Sequence, residues 1–460
     1  MSLKVSHIDL SERKVLLRSF DVVVIILSVW LSSKFSIQDY ITFGSDSVYM
    51  WLTLLIFYYF LFGEIFQLYD LNVSSNRFKV SRSLFLTAFI TTLFFTFTPY
   101  FSPSLPEKRI QVIYLFLLMF GPVLLWRFIY MWVLFSPKYF KDIIVISHAT
   151  RMGTMLDLIK ERGFHNVICY ISDEENKNYG QFFDVNNVDV YKLVKEKNAK
   201  EVILSTRGFS SNVISKLNNS IITLFEEGIN IKSFESFYEE ITDRVPKEYL
   251  DHHFYNNINL SSHSEKKIYQ FYHRFIDIVV SSLGLLIFVP MIPLILLFNL
   301  IGNRGPIFYT QKRVGKKGKL FTIYKLRSMV VNAESQGAQY AQKNDKRITM
   351  FGKFLRNTRL DEAPQFFNIL KGDMSLIGPR PERPEFVQDL EEKIPFYAIR
   401  HVVKPGLTGW AQVNYPYAGN LDEQEKKLRY DLFYIKEQSA YLDFKIIIKT
   451  MTTVLFFRGQ

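Results

Sequence analysis

Hydrophobic positions along this chain fall first into long blocks, then into short alternating runs, then into blocks again. Four N-terminal blocks, about Phe20–Lys34, Val48–Gln67, Ser83–Tyr100 and Ile110–Phe135, approach the roughly 20 apolar residues that a membrane-spanning helix needs. After Lys138 the pattern changes. A β-branched run at Ile143–Ile146 leads through a turn into an amphipathic segment. "NVICYIS", "VDVYKLVKEKNAKEVILST" and "GINIKSFESFYEEI" then continue an alternation of strand and helix. That alternation predicts a small open parallel sheet, a Rossmann-like module. The polar stretch "DHHFYNNINLSSHSEKK" separates it from a third region, which opens on the aromatic, basic "IYQFYHRFIDIVV" and runs into "VVSSLGLLIFVPMIPLILLFNLIG".

Charge orients these blocks, because Lys and Arg are retained on the cytoplasmic side. Arg13, Lys14 and Arg18 precede the first block, "SIQDYITFGSDS" after it has no cation, and "SSNRFKVSR" after the second is basic again. Lys108 and Arg109 depart from the alternation, and Lys138 and Lys141 follow the fourth block. The best fit has the N-terminus inside, four crossings, and the chain inside again near Pro137. The apolar segment at 276–301 behaves differently. Pro290 lacks an N–H and its ring clashes with the carbonyl one turn earlier, and Pro293 repeats the fault. Lys266, Lys267 and Arg274 lie before it, and Arg304, Lys312, Arg313, Lys316, Lys317 and Lys319 after it. Two basic flanks predict a re-entrant helix that breaks at Pro290 and leaves on the side it entered; a kinked fifth span is the competing reading.

Composition agrees with a membrane protein. The 460 residues are 48% hydrophobic and 16% aromatic, with a net charge of +12, and the mean hydropathy is +0.05. Basic charge beside apolar blocks points to anionic lipid or phosphate-bearing substrates, and no nucleic-acid-binding motif accompanies it. Cys169 is the single cysteine, so neither an intrachain disulfide framework nor a cysteine-rich zinc site is expected. The first apolar block is long and preceded by polar residues, unlike a cleavable signal peptide. In the Rossmann-like module, "SHATRMG" stands where a dinucleotide site would need G-x-G-x-x-G, and only Gly153 remains. The module therefore reads as regulatory or oligomerising without a cofactor. His148 and His165 read as surface residues, and His252 and His253 as linker residues.

Chemistry concentrates after Gly305. "RGPIFYTQKRVGKKGKLFTIYKLRSM" predicts a β-hairpin turned at Lys316–Gly318, with Lys325 and Arg327 on one strand face. Asp361 and Glu362 are expected to open an amphipathic helix with Phe366, Phe367 and Leu370 on its apolar face, where capping alone would explain two carboxylates. Arg356, Arg359, Arg380 and Arg383 exceed what such a pair requires and suit an anionic ligand held by forked donors. In "HVVKPGLTGWAQVN", Trp410 has three readings: stacking on a base, anchoring at the interface, or packing in the core. The terminal "YLDFKIIIKTMTTVLFF" is interrupted by Lys445 and Lys449 and predicts an interfacial helix.

"GPIFYTQKRVGKKGKLFTIYKLRSM", "LDEAPQFFNILKGDMSLIGPRPE" and "KPGLTGWAQVN", in this order after an apolar segment with a central proline, resemble the bacterial polyprenyl-phosphate sugar-1-phosphate transferases. The layout, with "FYEEITDRVP", is similar to the large subfamily that adds four transmembrane helices and a Rossmann-like module. The resemblance implies a membrane α plus α/β fold. Its parts are a transmembrane domain at 1–138, the module at 139–250, a linker at 251–265, and a catalytic α/β domain at 266–460 anchored by re-entrant and interfacial helices. It implies transfer of a hexose-1-phosphate from a UDP-sugar to undecaprenyl phosphate with release of UMP. That transfer is the first membrane step of exopolysaccharide, capsule or O-antigen synthesis. Asp361 would form an acyl-phosphate intermediate and Glu362 would bind Mg²⁺. Arg380 would hold a phosphate, with Lys325 and Arg327 as further anion-binding candidates beside Arg356 and Arg359. Asp373 has two readings, a second metal ligand or a turn cap. The family often has Ser before the proline of the break, where this chain has Val289. The expected setting is the bacterial inner membrane with the catalytic domain facing the cytoplasm, and the partners are UDP-sugar, undecaprenyl phosphate and membrane lipids. The helices and module offer surface for a homodimer. The alternative is a non-catalytic scaffold or regulator of glycan export. The CDP-alcohol phosphotransferase motif D-G-x-x-A-R and the P-loop are both missing.

Overall fold

The computed structural model describes residues 10–35, 40–74, 76–106, 108–133, 141–162, 165–176, 179–250, 267–333, 345–415 and 419–455. The chain divides into two compact units, Met1–Phe234 and Glu235–Gln460.

The first unit begins with four long helices, α1 (Leu10–Lys34), α2 (Val48–Ile65), α3 (Arg77–Thr96) and α4 (Ile110–Val133). Leu17, Val29, Leu55, Tyr59, Leu84, Met119 and Val123 form their shared core. Helix α1 starts well before Phe20, because the polar residues at its entry find partners on other helices. The buried Asp21 carboxylate accepts from Arg127 Nε at 3.1 Å and Nη2 at 2.5 Å, and from the Tyr59 hydroxyl at 3.3 Å. Arg18 pairs with Glu64. Charges inside an apolar bundle persist only when paired in this way.

After these helices come β1 (Lys141–Ile146), α5 (Ala149–Arg162), β2 (His165–Ser172), β3 (Gln181–Asp184), α6 (Val190–Glu196), β4 (Glu201–Leu204), α7 (Ser211–Glu226) and β5 (Asn230–Ser233). The strands form one parallel sheet in the order β3-β2-β1-β4-β5. The parallel sheet is the one that the alternating pattern predicted, and crossovers on both sides of β1 give it a doubly wound form. Ile144, Ile146, Cys169, Ile171 and Val202 pack against Leu217 and Leu224. The N-terminus of α5 carries the protein's own Asp173 carboxylate, which accepts from Ala149 N at 2.8 Å and lies 3.1 Å from His148 Nε2.

The second unit opens within α8 (Phe234–Thr242), ahead of the boundary expected at Leu250. Val245, Tyr249 and Leu250 pack with Val387, Leu390, Leu428 and Leu432, which draws this segment into the second unit. Next is α9 (Lys267–Gly302), with Pro290 and Pro293 inside it. Its secondary structure is continuous, so the interruption expected at Pro290 does not appear at that level. Phe288 and Ile295 flank the prolines and both pack in the cluster of Leu326 and Leu355, which holds the helix where a backbone bond is lost. Among the described residues, five helices are long and apolar enough to cross a membrane: α9 and the four of the first unit.

Strands β6 (Phe308–Val314) and β7 (Leu320–Leu326) form the expected antiparallel hairpin, with Phe308 opposite Leu326 and a turn at Lys316–Gly318. The remaining elements are α10 (Met350–Asn357), α11 (Gln365–Lys371), β8 (Ser375–Ile377), α12 (Pro384–Lys393), β9 (Gly406–Thr408), α13 (Trp410–Asn414), α14 (Leu421–Lys436) and α15 (Ala440–Leu455). Strands β8 and β9 pair in parallel. On α15, Leu442, Ile446 and Ile448 are buried while Tyr441, Phe444 and Met451 are exposed.

Candidate active site

Asp361 and Glu362 lie on a tight turn, Leu360–Glu362, between α10 and α11. They do not open α11 as the sequence suggested. Pro364 has no N–H to give to the Leu360 carbonyl, so the helix starts only at Gln365. Its apolar side is also split. Phe366 packs with Phe321, Ile369 and Met374, whereas Phe367 and Leu370 are 49% and 36% exposed. Arg359, just ahead of the turn, has a left-handed backbone with φ of 57°, a conformation uncommon for a residue with a side chain.

Three cations converge on Glu362. Lys325 Nζ lies 3.1 Å and Arg380 Nη2 3.2 Å from Oε1, and Arg359 Nη1 lies 3.8 Å from Oε2. Lys325 reaches the site because Asn368 of α11 is sewn to β7. Its side chain accepts from Tyr324 N at 3.1 Å and donates to Thr322 O at 2.8 Å. Arg380 arrives on the loop after β8, which glycines let press against the chain leading into β9. A Cβ at Gly378 would lie 2.4 Å from Lys404 O, and one at Gly406 only 2.1 Å from Gly378 N.

The two carboxylates therefore differ electrostatically. Burial alone would raise Glu362, but Lys325, Arg380 and Arg359 overcome it and hold the group well below the ordinary range. Burial, and then the charge of Glu362, push Asp361 up, with Lys325, Arg356 and Arg359 opposing. Asp361 Oδ1 is buried and has no hydrogen-bond partner among the described residues. Arg380 is 37% exposed and bonds Glu362; its other donors make no hydrogen bond among the described residues. The arrangement offers one carboxylate locked as an anion, one more basic and free to react, and a guanidinium able to grip a phosphate.

The other candidates divide. Arg356 donates to Ser328 Oγ at 2.9 Å and acts on Asp361 through its charge. Arg327 lies past the end of β7 and gives its donors to the carbonyls of Pro306, Met329 and Asn303 at 2.7, 3.0 and 2.7 Å. It therefore caps the end of α9 rather than joining the dyad. Asp373 pairs with Lys371 at 2.9 Å and stays out of the cluster; no group of three or more metal-type ligands occurs among the described residues. Arg383 stacks over the Phe386 ring. Trp410 is in the core, its indole donating to Asp243 O at 2.7 Å. His252 and His253 lie outside the described residues.

Behind Arg380 is a second charged layer that the sequence reading did not single out. Lys427 Nζ bonds Glu382 Oε1 at 2.6 Å, and Arg400 Nη2 bonds Asp431 Oδ2 at 2.9 Å and Arg380 O at 3.0 Å. A signal existed. Lys427 and Asp431, four residues apart, share the buried face of α14 with Leu428 and Leu432, where unpaired charge is not tolerated.

The described residues thus carry five helices long and apolar enough to cross a membrane and, after the last of them, a buried carboxylate pair beside an arginine suited to an anionic ligand. The Bacterial sugar transferase family profile matches residues 268–457. The chain is 52% identical over 127 residues to a Bacillus subtilis protein named putative undecaprenyl-phosphate N-acetylgalactosaminyl 1-phosphate transferase, covering 28% of this chain and 71% of that one. It is 43% identical over 227 residues to the UDP-N-acetylgalactosamine-undecaprenyl-phosphate N-acetylgalactosaminephosphotransferase of Aeromonas hydrophila, covering 49% and 52%. It is also 43% identical over 183 residues to the UDP-glucose:undecaprenyl-phosphate glucose-1-phosphate transferase of Klebsiella pneumoniae, covering 39% of each. The chain belongs to the bacterial sugar transferase family. Its matches to the Aeromonas and Klebsiella proteins span about half of their length or less.

Proposed function

We propose that this protein transfers a hexose-1-phosphate from a UDP-sugar to undecaprenyl phosphate, releasing UMP, through a covalent intermediate on Asp361. The observation that carries the reading is the division between the carboxylates: Glu362 is fixed as an anion by three cations, and Asp361 is more basic, its Oδ1 without a hydrogen-bond partner among the described residues. In the first step an Asp361 oxygen bonds to the sugar-bearing phosphorus as the bond from that phosphorus to the bridging oxygen breaks. The electron pair leaves on UMP. In the second, a phosphate oxygen of undecaprenyl phosphate bonds to the same phosphorus and the Asp361–phosphorus bond breaks, which restores the carboxylate. Covalent catalysis of this kind divides one difficult displacement into two easier ones. Arg380, and Arg359 beside it, are suited to hold the charge of the diphosphate.

The residues present fit Mg²⁺. Two adjacent carboxylates offer hard oxygens, one of them without a partner among the described residues, and Mg²⁺ is ordinarily held by one or two carboxylates plus substrate phosphates. Glu362 would hold it through Oε2, which Arg359 meets only at 3.8 Å. When bound, the ion neutralises charge that builds on the phosphates.

The re-entrant reading of α9 belongs to this proposal. Near the start of α9, Arg274 donates to the Ile369 and Leu370 carbonyls at 2.7 and 2.8 Å, and Asp277 accepts from Leu376 N at 2.8 Å. Near its end, Asn303 donates to Arg327 O at 2.5 Å. Polar groups at both ends thus bind the unit that carries the dyad. That fits entry and exit on one face, the cytoplasmic side of the inner membrane, where nucleotide sugars are found.

The test is UMP release from a panel of UDP-sugars by the purified full chain with undecaprenyl phosphate. Asp361→Asn should abolish release while the protein still inserts and folds. EDTA should stop the wild type and added Mg²⁺ restore it. A donor labelled in the sugar-bearing phosphate should label the wild type, and undecaprenyl phosphate should chase the label. Unchanged turnover in Asp361→Asn would sink the covalent route.

A further inference from the structure

We infer that Arg400 and Asp431, a buried ion pair, are positioning residues that aim Arg380 at the substrate phosphates. The inference rests on the reading of Arg380 as a phosphate-holding cation and explains how one exposed guanidinium is kept on target.

Arg380 makes a single side-chain hydrogen bond among the described residues, to Glu362, so its aim depends on its backbone. That backbone is tethered from behind. Arg400 Nη2 donates to the Arg380 carbonyl at 3.0 Å, Nη1 to the Tyr397 hydroxyl at 2.7 Å, and Nε and Nη2 to Asp431 Oδ2 at 3.2 and 2.9 Å. A guanidinium gripped on three sides has one orientation, and it hands that orientation to the loop. The residues on either side of Arg380 are held as well. Pro379 O accepts from Gly406 N at 2.9 Å, Pro381 O from Arg313 Nη1 at 3.2 Å, and Glu382 takes Lys427 Nζ at 2.6 Å.

Asp431 and Lys427 both come from α14, and the opposite side of that helix is braced. Val245 N donates to Arg429 O at 3.2 Å, Arg429 Nε donates to Val245 O at 2.8 Å, and Lys436 bonds Glu239 at 2.7 Å. Arg400 and Asp431 are 3% and 2% exposed. Neither is open to a substrate in solution, so an effect on binding must pass through the loop they hold, and Arg380 is the residue of that loop whose carbonyl Arg400 bonds. Burying a charge pair seldom adds stability over a hydrophobic pair of similar volume. Fixed geometry is what this pair supplies that an apolar one would not.

The test is a thermodynamic cycle read by calorimetric titration of UDP into the full-length protein in nanodiscs. Arg400→Met with Asp431→Leu removes both buried charges together, which avoids stranding one, and a melting curve verifies folding. UDP binding should weaken roughly tenfold, within the coupling range of groups in one network. In an Arg380→Ala background the same double change should cost less than about twofold, because the group it positions is gone. Should the double variant fail to assemble, Arg400→Lys carries the same two expectations, since it keeps a charge opposite Asp431 but gives up the fork that reaches the Arg380 carbonyl. Unchanged UDP affinity, or equal losses in both backgrounds, overturns the positioning role. A wild type that binds UDP but releases no UMP from any UDP-sugar refutes the transferase reading and leaves the cycle decisive for the loop.

Discussion

Glu382 gives the strongest quantitative test of how the Arg380 loop is held. Burial would raise this carboxyl, but Lys427, Arg400 and Arg313 bring it from an ordinary 4.5 down to about 2. A folded-state value below the unfolded one contributes stability at pH above the unfolded value, and that contribution is lost as pH falls toward the folded one. The shift corresponds to about 3 kcal/mol at neutral pH, undiminished by solvent because the side chain is buried, and to about 1.4 kcal/mol at pH 3. Glu382→Gln should lose this and also strand Lys427, whose side chain is only 10% exposed. The expected cost at pH 7 is about 3–5 kcal/mol, or a fall in Tm of about 6–20 °C for a unit of this size. The assay is a set of melting curves on detergent-solubilised protein from pH 7 down to pH 3. The gap between wild type and variant should narrow steadily below pH 5. Adding Lys427→Met should recover most of the loss, because it removes the stranded charge. A gap that stays constant with pH, or a double variant less stable than Glu382→Gln, refutes the electrostatic account.

The same reasoning extends to other sites. Because burial and Glu362 raise Asp361, the acid limb of kcat/KM for UMP release should lie above the ordinary carboxylate range; Arg356→Gln, which removes an opposing cation, should move it further up. An unshifted limb would mean that another group sets it. Asp21→Asn should leave buried Arg127 unpaired and cost about 3–5 kcal/mol, read as a large drop in melting temperature, whereas Asp21→Leu with Arg127→Met should be much milder. Single cysteines at Lys267 and Lys317, in a Cys169→Ser background, should both react with an impermeant reagent from the cytoplasmic side alone. Labelling from opposite sides refutes re-entry.

What the sequence disclosed depended on whether the cause was local. The β6–β7 hairpin was legible because alternation and the Lys316–Gly318 turn lie within one short stretch, and the register of Phe308 with Leu326 follows from them. The parallel sheet was legible as alternating elements, but the order β3-β2-β1-β4-β5 was not, since it depends on contacts between distant strands. Lys325 and Arg327 have the same parity, so strand geometry alone treats them alike. They part because β7 ends at Leu326 and three carbonyls meet the arginine beyond it. The dyad was found through a motif, yet its electrostatics come from Lys325 and Arg380, which only tertiary closure brings to Glu362. For Asp431, the apolar face of α14 indicates that the charge is paired, but its partner Arg400 lies 31 residues away and is fixed only by tertiary contacts.

The two short helices that flank the dyad bear on how a lipid phosphate reaches it. On α10, Met350 and Phe354 are 86% and 55% exposed, and on α11, Phe367 and Leu370 are also open. Fully burying each such side chain is worth about 1.5–3 kcal/mol, so four of them on the elements that carry the turn form a substantial unpaid apolar surface. In water that surface is a liability. Under the transferase reading it meets lipid, as do Phe271 and Phe275 at the start of α9, which are exposed as well. Asp361 and Glu362 themselves are buried, while Arg380 remains open to solvent. The turn would then lie at the headgroup level, where a phosphate on a membrane-bound chain can meet Asp361 without leaving the bilayer. The water-soluble donor would approach from the side of Arg380. One turn would thus serve two substrates that occupy different phases, with apolar flanks setting its depth and the braced arginine loop facing the other way.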